Sequence, residues 1–292
     1  MLAIVGSALI SAQTFVGSIR GLILDPGGAT VANANLTLKN EATGVVTTTV
    51  SNSVGQYVFA QLEPGTYTIT VELSGFKRLE HPGVIVAVQQ EVGLDLRMEL
   101  GQVTESVQVT TEVPLIENAT ASNGTTLNTQ QLTDLPNLGR NTFLFTKMDN
   151  NVVPSGPPAW NRFQDQTGSS NLSIGGGPIR GNNYLIDGVP VTDSNNRAVI
   201  IPTEEGVQEM KLQTGTYDAT MGRTGGGVFN TLIKTGTNDI HGDVQGYYRP
   251  SGGTANFYFN NLVGAPATPE NWENWAASLG GPIVIPKIYH GR

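Results

Sequence analysis

The sequence predicts a mainly-β chain in three parts: a seven-stranded sandwich, a less regular second domain, and a terminal pair of alternating strands. Three observations carry this expectation. The chain holds 36 Gly and 16 Pro in 292 residues and lacks the Ala/Leu/Glu/Lys runs that favour helices. From Gly17 to Leu100, short alternating runs are separated by turn dipeptides, the pattern of an all-β sandwich. Beyond Ile240, apolar and polar residues alternate one by one, as the two faces of a transmembrane β-strand do. With 38% apolar residues, the length suits about two domains, each able to bury a core.

Composition also excludes function classes. Sixteen Lys and Arg against 24 Asp and Glu, with no basic cluster, argue against a nucleic-acid partner. The absence of Cys removes disulfides, thiolate metal sites and cysteine nucleophiles. No run approaches the 18 apolar residues of a spanning helix. Met1 to Ala12 (MLAIVGSALISA) resembles the apolar region and cleavage site of a secretory signal without its basic start, so residues 1–14 are expected to be a signal-peptide remnant of an exported protein.

In the first part, strands are expected near Ser18–Leu24, Ala34–Asn40, Val45–Ser51, Gln56–Gln61, Thr66–Ser74, Val84–Gln89 and Val92–Leu100. Pro26-Gly27-Gly28, Thr43-Gly44, Val54-Gly55, Glu63-Pro64-Gly65, Ser74-Gly75 and Pro82-Gly83 punctuate them. Tyr67, Ile69, Val71 and Leu73 share one face while Thr66, Thr68, Thr70 and Glu72 share the other, which predicts a half-buried strand. The stretch GQYVFAQLEPGTYTITVELSGFK, Gly55 to Lys77, resembles the carboxypeptidase regulatory-like domain. That resemblance implies a transthyretin-like, carbohydrate-binding-like sandwich over residues 15–101. Its motifs set turns and core aromatics and contain no reactive group, so no peptidase activity follows. A spacer or docking role is favoured over sugar binding, because no aromatic platform stands out.

Residues 102–117 read as an extended linker. Within it Glu105, Ser106, Val107, Gln108, Val109 and Thr110 (ESVQVT) resemble the short box near the start of TonB-dependent outer-membrane receptors. The resemblance implies strand addition to a TonB-type periplasmic energy-coupling protein, in which backbone hydrogen bonds supply affinity. The other reading, a first strand of the domain that follows, stays open.

Residues 118–236 form the second domain, with a short helix expected over Asn128–Leu135, a turn at LPNLGRN (Leu135 to Asn141), and a long polar loop over Lys147–Gly168. LSIGGGPIRGNNYLIDGVPVTD (Leu172 to Asp193) and VQEMKLQTGTYDATMGRTGGGVFNTLIKTGTN (Val207 to Asn238) resemble the α+β plug domain of TonB-dependent receptors, in its Oar-like branch. The resemblance implies that Ile179-Arg180-Gly181 and Leu185–Pro190 form adjacent strands and a turn, and that Gly225–Ile233 is a tight turn and the last plug strand. The residues it marks as structural are Arg140, Arg180, Gly181, Asp187, Gly188, Gly222, Arg223, Gly225, Gly226 and Gly227. Arg180 matches an arginine that faces barrel carboxylates in relatives. A second such arginine is replaced here by Thr220-Met221-Gly222, with Arg223 beyond it. Glycines 175–177 and 225–227 are read as packing glycines, since neither run has the spacing of a phosphate cradle.

In the final part, residues 237–292, Ile240, Gly242, Val244, Gly246 and Tyr248 alternate with polar neighbours, and Trp275, Ala277, Leu279, Gly281, Ile283 and Ile285 repeat the pattern. Tyr247, Tyr248, Phe257, Tyr258, Phe259, Trp272 and Trp275 fit an interfacial girdle, with an ordinary hairpin core as the alternative. A bacterial barrel needs at least about 8 strands, so these are expected to be the first strands of an incomplete outer-membrane β-barrel.

The catalytic inventory is thin. His81, His241 and His290 are far apart in sequence, and no metal, cofactor or enzyme activity is expected. Asp187, Asp193, Asn195 and Asn196 read as Asx-rich turns ahead of a cation site. The resemblance implies the N-terminal portion of a TonB-dependent transporter in the cell outer membrane, with a plug gating energy-coupled uptake, lipid around its barrel and its first domain in the periplasm. Substrate contacts are placed at Trp160, Asn161, Arg162, Phe163, Asp193 and Arg197, for a siderophore, glycan or peptide. The competing class is an exported carbohydrate- or partner-binding sandwich without transport activity.

Overall fold

The computed structural model describes residues 15–102, 106–108, 123–137, 139–155, 169–215, 224–253, 255–267 and 271–291. The expected signal segment lies outside them. Alternation between Gly17 and Arg97 folds as β1 (Gly17–Leu24), β2 (Asn35–Asn40), β3 (Val46–Val50), β4 (Gln56–Leu62), β5 (Gly65–Glu72), β6 (Arg78–Val86), β7 (Glu91–Gly93) and β8 (Leu96–Arg97). One sheet runs β4-β1-β7, with β8 also paired to β1. The other runs β3-β2-β5-β6 and continues to β9 (Ser106–Gln108). The two-residue period sends Ile19, Ile23, Tyr57 and Phe59 of the first sheet and Leu36, Leu38, Ile69, Val71, Val84 and Val86 of the second into one shared core.

Two expected strands differ. The sixth begins at Arg78, not Val84, and runs through Pro82-Gly83, which the sequence marks as a turn. Gly83 takes a φ of +74°, and the β5–β6 register shifts between Tyr67 and Ile69, so the pair is absorbed as an irregularity within the strand. The seventh breaks into β7 and β8, because the chain between them bonds to β1 through Leu94 N–H to Arg20 O and Leu22 N–H to Asp95 Oδ1, both 2.8 Å. Leu94 comes so close that a Cβ on Gly21 would lie 1.8 Å from its carbonyl oxygen. That oxygen also accepts the buried Tyr57 hydroxyl at 2.7 Å.

A second core follows, built from β10 (Asn123–Asn128), β11 (Val152–Pro154), β12 (Leu172–Ile174), β13 (Asn183–Ile186), β14 (Val189–Pro190), β15 (Val207–Gly215) and β16 (Val228–Ile233). Its main sheet has the order β10-β15-β16-β13-β14, with β13 parallel to β16, while β11 and β12 pair separately. Helix α1 (Thr129–Asp134) is started by a capping box between Asn128 and Gln131. Phe143, from a 3-10 turn over Thr142–Met148, meets Tyr184 and Phe229 edge-on at 5.0 and 5.5 Å, and those two rings stack at 4.5 Å. These rings, with Leu127, Met210 and Leu212, fill one face of the sheet. The other face carries Glu209, Lys211, Gln213 and Asn230, all buried. Glu209 reaches the sandwich, where its Oε1 accepts the Val88 N–H at 3.2 Å.

Residues 236–292 form a separate unit. There β17 (His241–Arg249) and β18 (Trp272–Gly280) pair antiparallel without a break, from His241 opposite Gly280 to Arg249 opposite Trp272. The alternation expected to continue to Ile285 stops at Gly280. Gly281, at φ +147°, and Pro282 end the ladder, and β19 (Val284–Ile285) pairs instead with β20 (Tyr289–His290). Among the described residues no helix is long and apolar enough to cross a membrane.

The fold makes a paired prediction. Gly21→Ala should lower the urea midpoint sharply, since its methyl meets rigid backbone, whereas Gly93→Ala, with nothing within 4 Å, should leave it equal or higher. Equal losses for both would contradict the close β1–Leu94 approach.

Candidate functional site

The features that bear on function are an exposed hairpin face, a glycine corner, a buried acid–arginine cluster, and the short strand β9. In β17–β18 the apolar positions stand out from the ladder: Val244, Trp275, Tyr248 and Leu279 are 81, 74, 60 and 85% exposed. The opposite face is half-buried and internally bonded. Tyr247 donates to Gln245 Oε1 at 2.6 Å, Gln245 donates to Asp243 Oδ2 at 3.0 Å, and Ser278 donates to Asp243 across the ladder. Trp275 lies over Gly246, where a Cβ would sit 2.4 Å from the ring. Arg249 stacks over Trp272 at 5.7 Å. The polar side chains thus satisfy one another on one face, while the apolar ones present a stripe that nothing in this unit covers.

The two glycine runs of the mixed sheet meet at one corner. A Cβ on Gly177 would lie 2.3 Å from Gly225 O, one on Gly226 2.3 Å from Asn182 Oδ1, and one on Gly227 2.5 Å from Ile174. Gly225 has ordinary space, with Pro178 Cδ at 3.6 Å, and Gly175 and Gly176 take φ of +59° and +77°. Asn182 ties the corner: its Nδ2 donates to Leu172 O at 2.8 Å, and its Oδ1 accepts Gly227 N–H at 3.0 Å. Gly181 O accepts the N–H groups of Gly225 and Gly226. Gly177, Gly226 and Gly227 are close-packed against their own chain, with no barrel wall needed to require them. Asn182 carried no sequence signal.

Of the other expected structural residues, Asp187 and Gly188 form the β13–β14 turn with φ of +48° and +74°, and Asp187 Oδ1 accepts Ile233 N–H at 3.0 Å. Arg180 is exposed at φ +63°. Gly222 and Arg223 lie outside the described residues.

Arg140, also at positive φ, is buried between two carboxylates. Its guanidinium contacts Glu204 at 2.5 Å and also pairs with Glu205, and Asn137 donates to Glu204. Burial pushes the Glu204 carboxyl up to about 7 against the pull of Arg140. The sequence marked Arg140 but missed both glutamates; two adjacent acids ahead of an apolar strand were the one available signal, and their partner is far away in the chain.

Asp193 and Arg197, expected to meet substrate, bond to each other. Asp193 Oδ1 accepts the N–H groups of Asn195 and Arg197, and Oδ2 accepts the Arg197 guanidinium at 2.7 and 2.8 Å. The Arg197 backbone N–H, foremost, holds the Asp193 carboxyl below its usual range. This is the Asx-rich turn that the sequence favoured, and among the described residues no His/Asp/Glu cluster could hold a metal. Trp160, Asn161, Arg162 and Phe163 lie outside the described residues. Ser106, Val107 and Gln108 form β9 and pair in parallel with Arg78, Leu79 and Glu80; Glu105, Val109 and Thr110 lie outside.

The acid–arginine cluster predicts a pH dependence. Folded Glu204 keeps a proton that the unfolded chain releases, so its contribution to stability is present at low pH and lost as pH rises from about 4.5 to about 7. Glu204→Gln should flatten urea stability across that window; an unchanged slope would contradict the assignment.

Residues 18–99 match the carboxypeptidase regulatory-like domain, and residues 232–290 match an outer membrane beta barrel domain. The TonB-dependent transporter Oar of Myxococcus xanthus is 25% identical over 256 residues, covering 83% of this chain and 23% of that protein. The chain therefore spans about a quarter of the length of that relative. Among solved structures, the Bacillus anthracis TIE protein is 18% identical over 29% of this chain and 16% of its own, with a TM-score of 0.25. The Klebsiella pneumoniae 5-hydroxyisourate hydrolase is 22% identical over 29% of this chain and 91% of its own, with a TM-score of 0.24. This chain is a distant homologue of the TonB-dependent transporter Oar along most of its length, with a carboxypeptidase regulatory-like domain near its start and outer-membrane β-barrel sequence near its end.

Proposed function

We propose that this chain is the N-terminal portion of a TonB-dependent outer-membrane transporter. In this reading residues 15–101 are a periplasmic sandwich, residues 102–117 a linker carrying the coupling segment, residues 118–236 a plug, and residues 237–292 the first barrel strands. The observation that carries it is the β17–β18 hairpin, with its exposed apolar stripe backed by an internally bonded polar face. Lipid on one side and a polar lumen on the other answer that division. Water on both sides would leave the stripe unburied, which counts against a free-standing binding module.

The mechanism follows from the parts. Backbone pairing of a TonB-type protein with Glu105–Thr110 would deliver a pull to the linker, and the plug would rearrange to open a path. Arg180 supports the plug reading, because it is exposed at a strained φ and no hydrogen bond or ion pair is found for it among the described residues. It suits a carboxylate on the barrel wall. The Arg140–Glu204–Glu205 cluster would hold one part of the plug rigid during the movement. Homology to a transporter points away from enzyme activity.

Lipid exposure is tested in the full-length receptor. Leu279→Arg places a charge on the proposed lipid face, at a cost of up to about 2–4 kcal/mol near the bilayer midplane, and should reduce the heat-modifiable, membrane-inserted form. Ser278→Arg, on the other face, should be tolerated. Equal tolerance of both would refute the assignment. For the substrate loop, replacing Trp160 and Arg162 together with Ala should weaken uptake affinity without changing the amount of inserted receptor; unchanged affinity would remove the loop from the substrate site.

A further inference from the structure

The second sheet of the sandwich ends differently on its two sides. β9 lies on β6, whereas among the described residues no strand pairs with the outer edge of β3. Edges left open to water are commonly guarded by Lys, Pro or a bulge, and β3 has none of these. Its residues, Val46 to Val50, read Val-Thr-Thr-Thr-Val, and its ladder with β2 keeps one register from Asn35 opposite Val50 to Lys39 opposite Val46. The absence of charge extends further. In a chain of net charge -8, no charged residue falls between Glu41 and Glu63, a span that also holds β4, the neighbouring edge of the first sheet. Val46, Val50, Val54 and Val58 are all exposed there. The backbone gives the β3 edge a centre. Val45 O accepts the Asn40 N–H at 2.9 Å and Ser51 N–H donates to Ala34 O at 3.0 Å, so the odd-numbered residues bond inward to β2. By alternation the N–H and C=O groups of Val46, Thr48 and Val50 point away from the sheet. These three positions are symmetric about Thr48, and so is the sequence.

We propose that β3 is the contact edge of a twofold homodimer, in which the β3 strands of two copies pair antiparallel about Thr48. That register sets Thr48 against the partner's Thr48, Val46 against the partner's Val50 and Val50 against the partner's Val46. Each is a bonded pair, in which the two residues exchange N–H to O=C hydrogen bonds. Thr47 falls opposite the partner's Thr49, and facing Thr residues favour a cross-strand pair. Sliding one strand by two residues sets Thr48 against the partner's Val50 and loses a bonded pair. The edge suits a second copy because two acidic chains meet there without opposing like charges, whereas a charged peptide would find no counter-charge on β3. Use of the same edge by both copies consumes it in each, so assembly stops at two. The contact lies within the span of the carboxypeptidase regulatory-like match and does not depend on the transporter reading.

The experiment uses the 292-residue chain in detergent, which shields the β17–β18 stripe, with mass read by sedimentation. The unsubstituted chain should sediment as a dimer at micromolar concentration. Thr48→Lys sets two ammonium groups against each other at the twofold centre and should weaken dimerisation about tenfold or more. The urea midpoint should not fall, because Thr48 is exposed. Mixing Thr48→Lys chains with Thr48→Glu chains should restore a dimer holding one of each. Thr48→Cys, in a chain with no native Cys, should close a disulfide between copies under mild oxidation, since the Cα atoms of a bonded antiparallel pair lie about 5.5 Å apart. Arg97→Cys, equally exposed on β8, should not. A chain that stays monomeric would overturn the proposal, and so would a dimer indifferent to Thr48→Lys, which would place the contact on another surface. Open-ended assembly through β3 would overturn the closed pairing. If Thr48→Lys lowers the urea midpoint, the thiols decide: equal cross-linking by Thr48→Cys and Arg97→Cys would overturn the twofold centre, and cross-linking by Thr48→Cys alone would support it.

Discussion

A β-strand is satisfied only when its backbone edges and its apolar face both find partners, and this chain meets that requirement differently in each part. In the sandwich, two sheets bury one another around Ile19, Tyr57, Leu36 and Ile69, and the β6 edge is covered by β9. In the mixed sheet, aromatic rings close one face, and buried polar residues line the other, one of them bonded to the sandwich. In β17–β18 the requirement is left unmet. Two strands with an outward apolar stripe are marginal in water; in the proposed reading a bilayer and neighbouring barrel strands would supply what is missing.

The second domain is fixed at two places. The glycine corner brings backbone to backbone where no Cβ fits, and Asn182 stitches it across β12 and the Gly225–Gly227 turn. Arg140 joins the turn after α1 to the residues entering β15 through two carboxylates that the fold has desolvated. Breaking a buried pair of this kind leaves an uncompensated charge, so the cluster resists local unfolding. If the proposed pull acts on this domain, rearrangement would be easier at the segments between such fixed points than within them.

Much of this was legible in the sequence, for identifiable reasons. The period of two and the turn dipeptides place β1 to β5 within a residue or two, because both signals are local. Pro82-Gly83 misled because a bulge in an edge strand and a turn use the same residues. Gly281-Pro282 misled in the opposite direction, where continued alternation concealed a break. At the candidate sites, the Asp193–Arg197 turn was legible since its partners are four residues apart. The Glu204 and Glu205 contacts to Arg140 were not, since nothing local ties residue 140 to residues 204 and 205. The docking of β9 was invisible for the same reason: ESVQVT announces a strand but not the edge it will choose.

The central claim is that β17 and β18 face lipid with one side and a lumen with the other. The most direct measurement is a nitroxide scan of residues 272–280 in the full-length receptor reconstituted in a bilayer, comparing oxygen with a water-soluble nickel complex as relaxers. The account predicts a two-residue period, with positions 275, 277 and 279 reached by oxygen and positions 274, 276 and 278 reached by nickel. Uniform access by nickel along the strand, or the opposite phase, would contradict it.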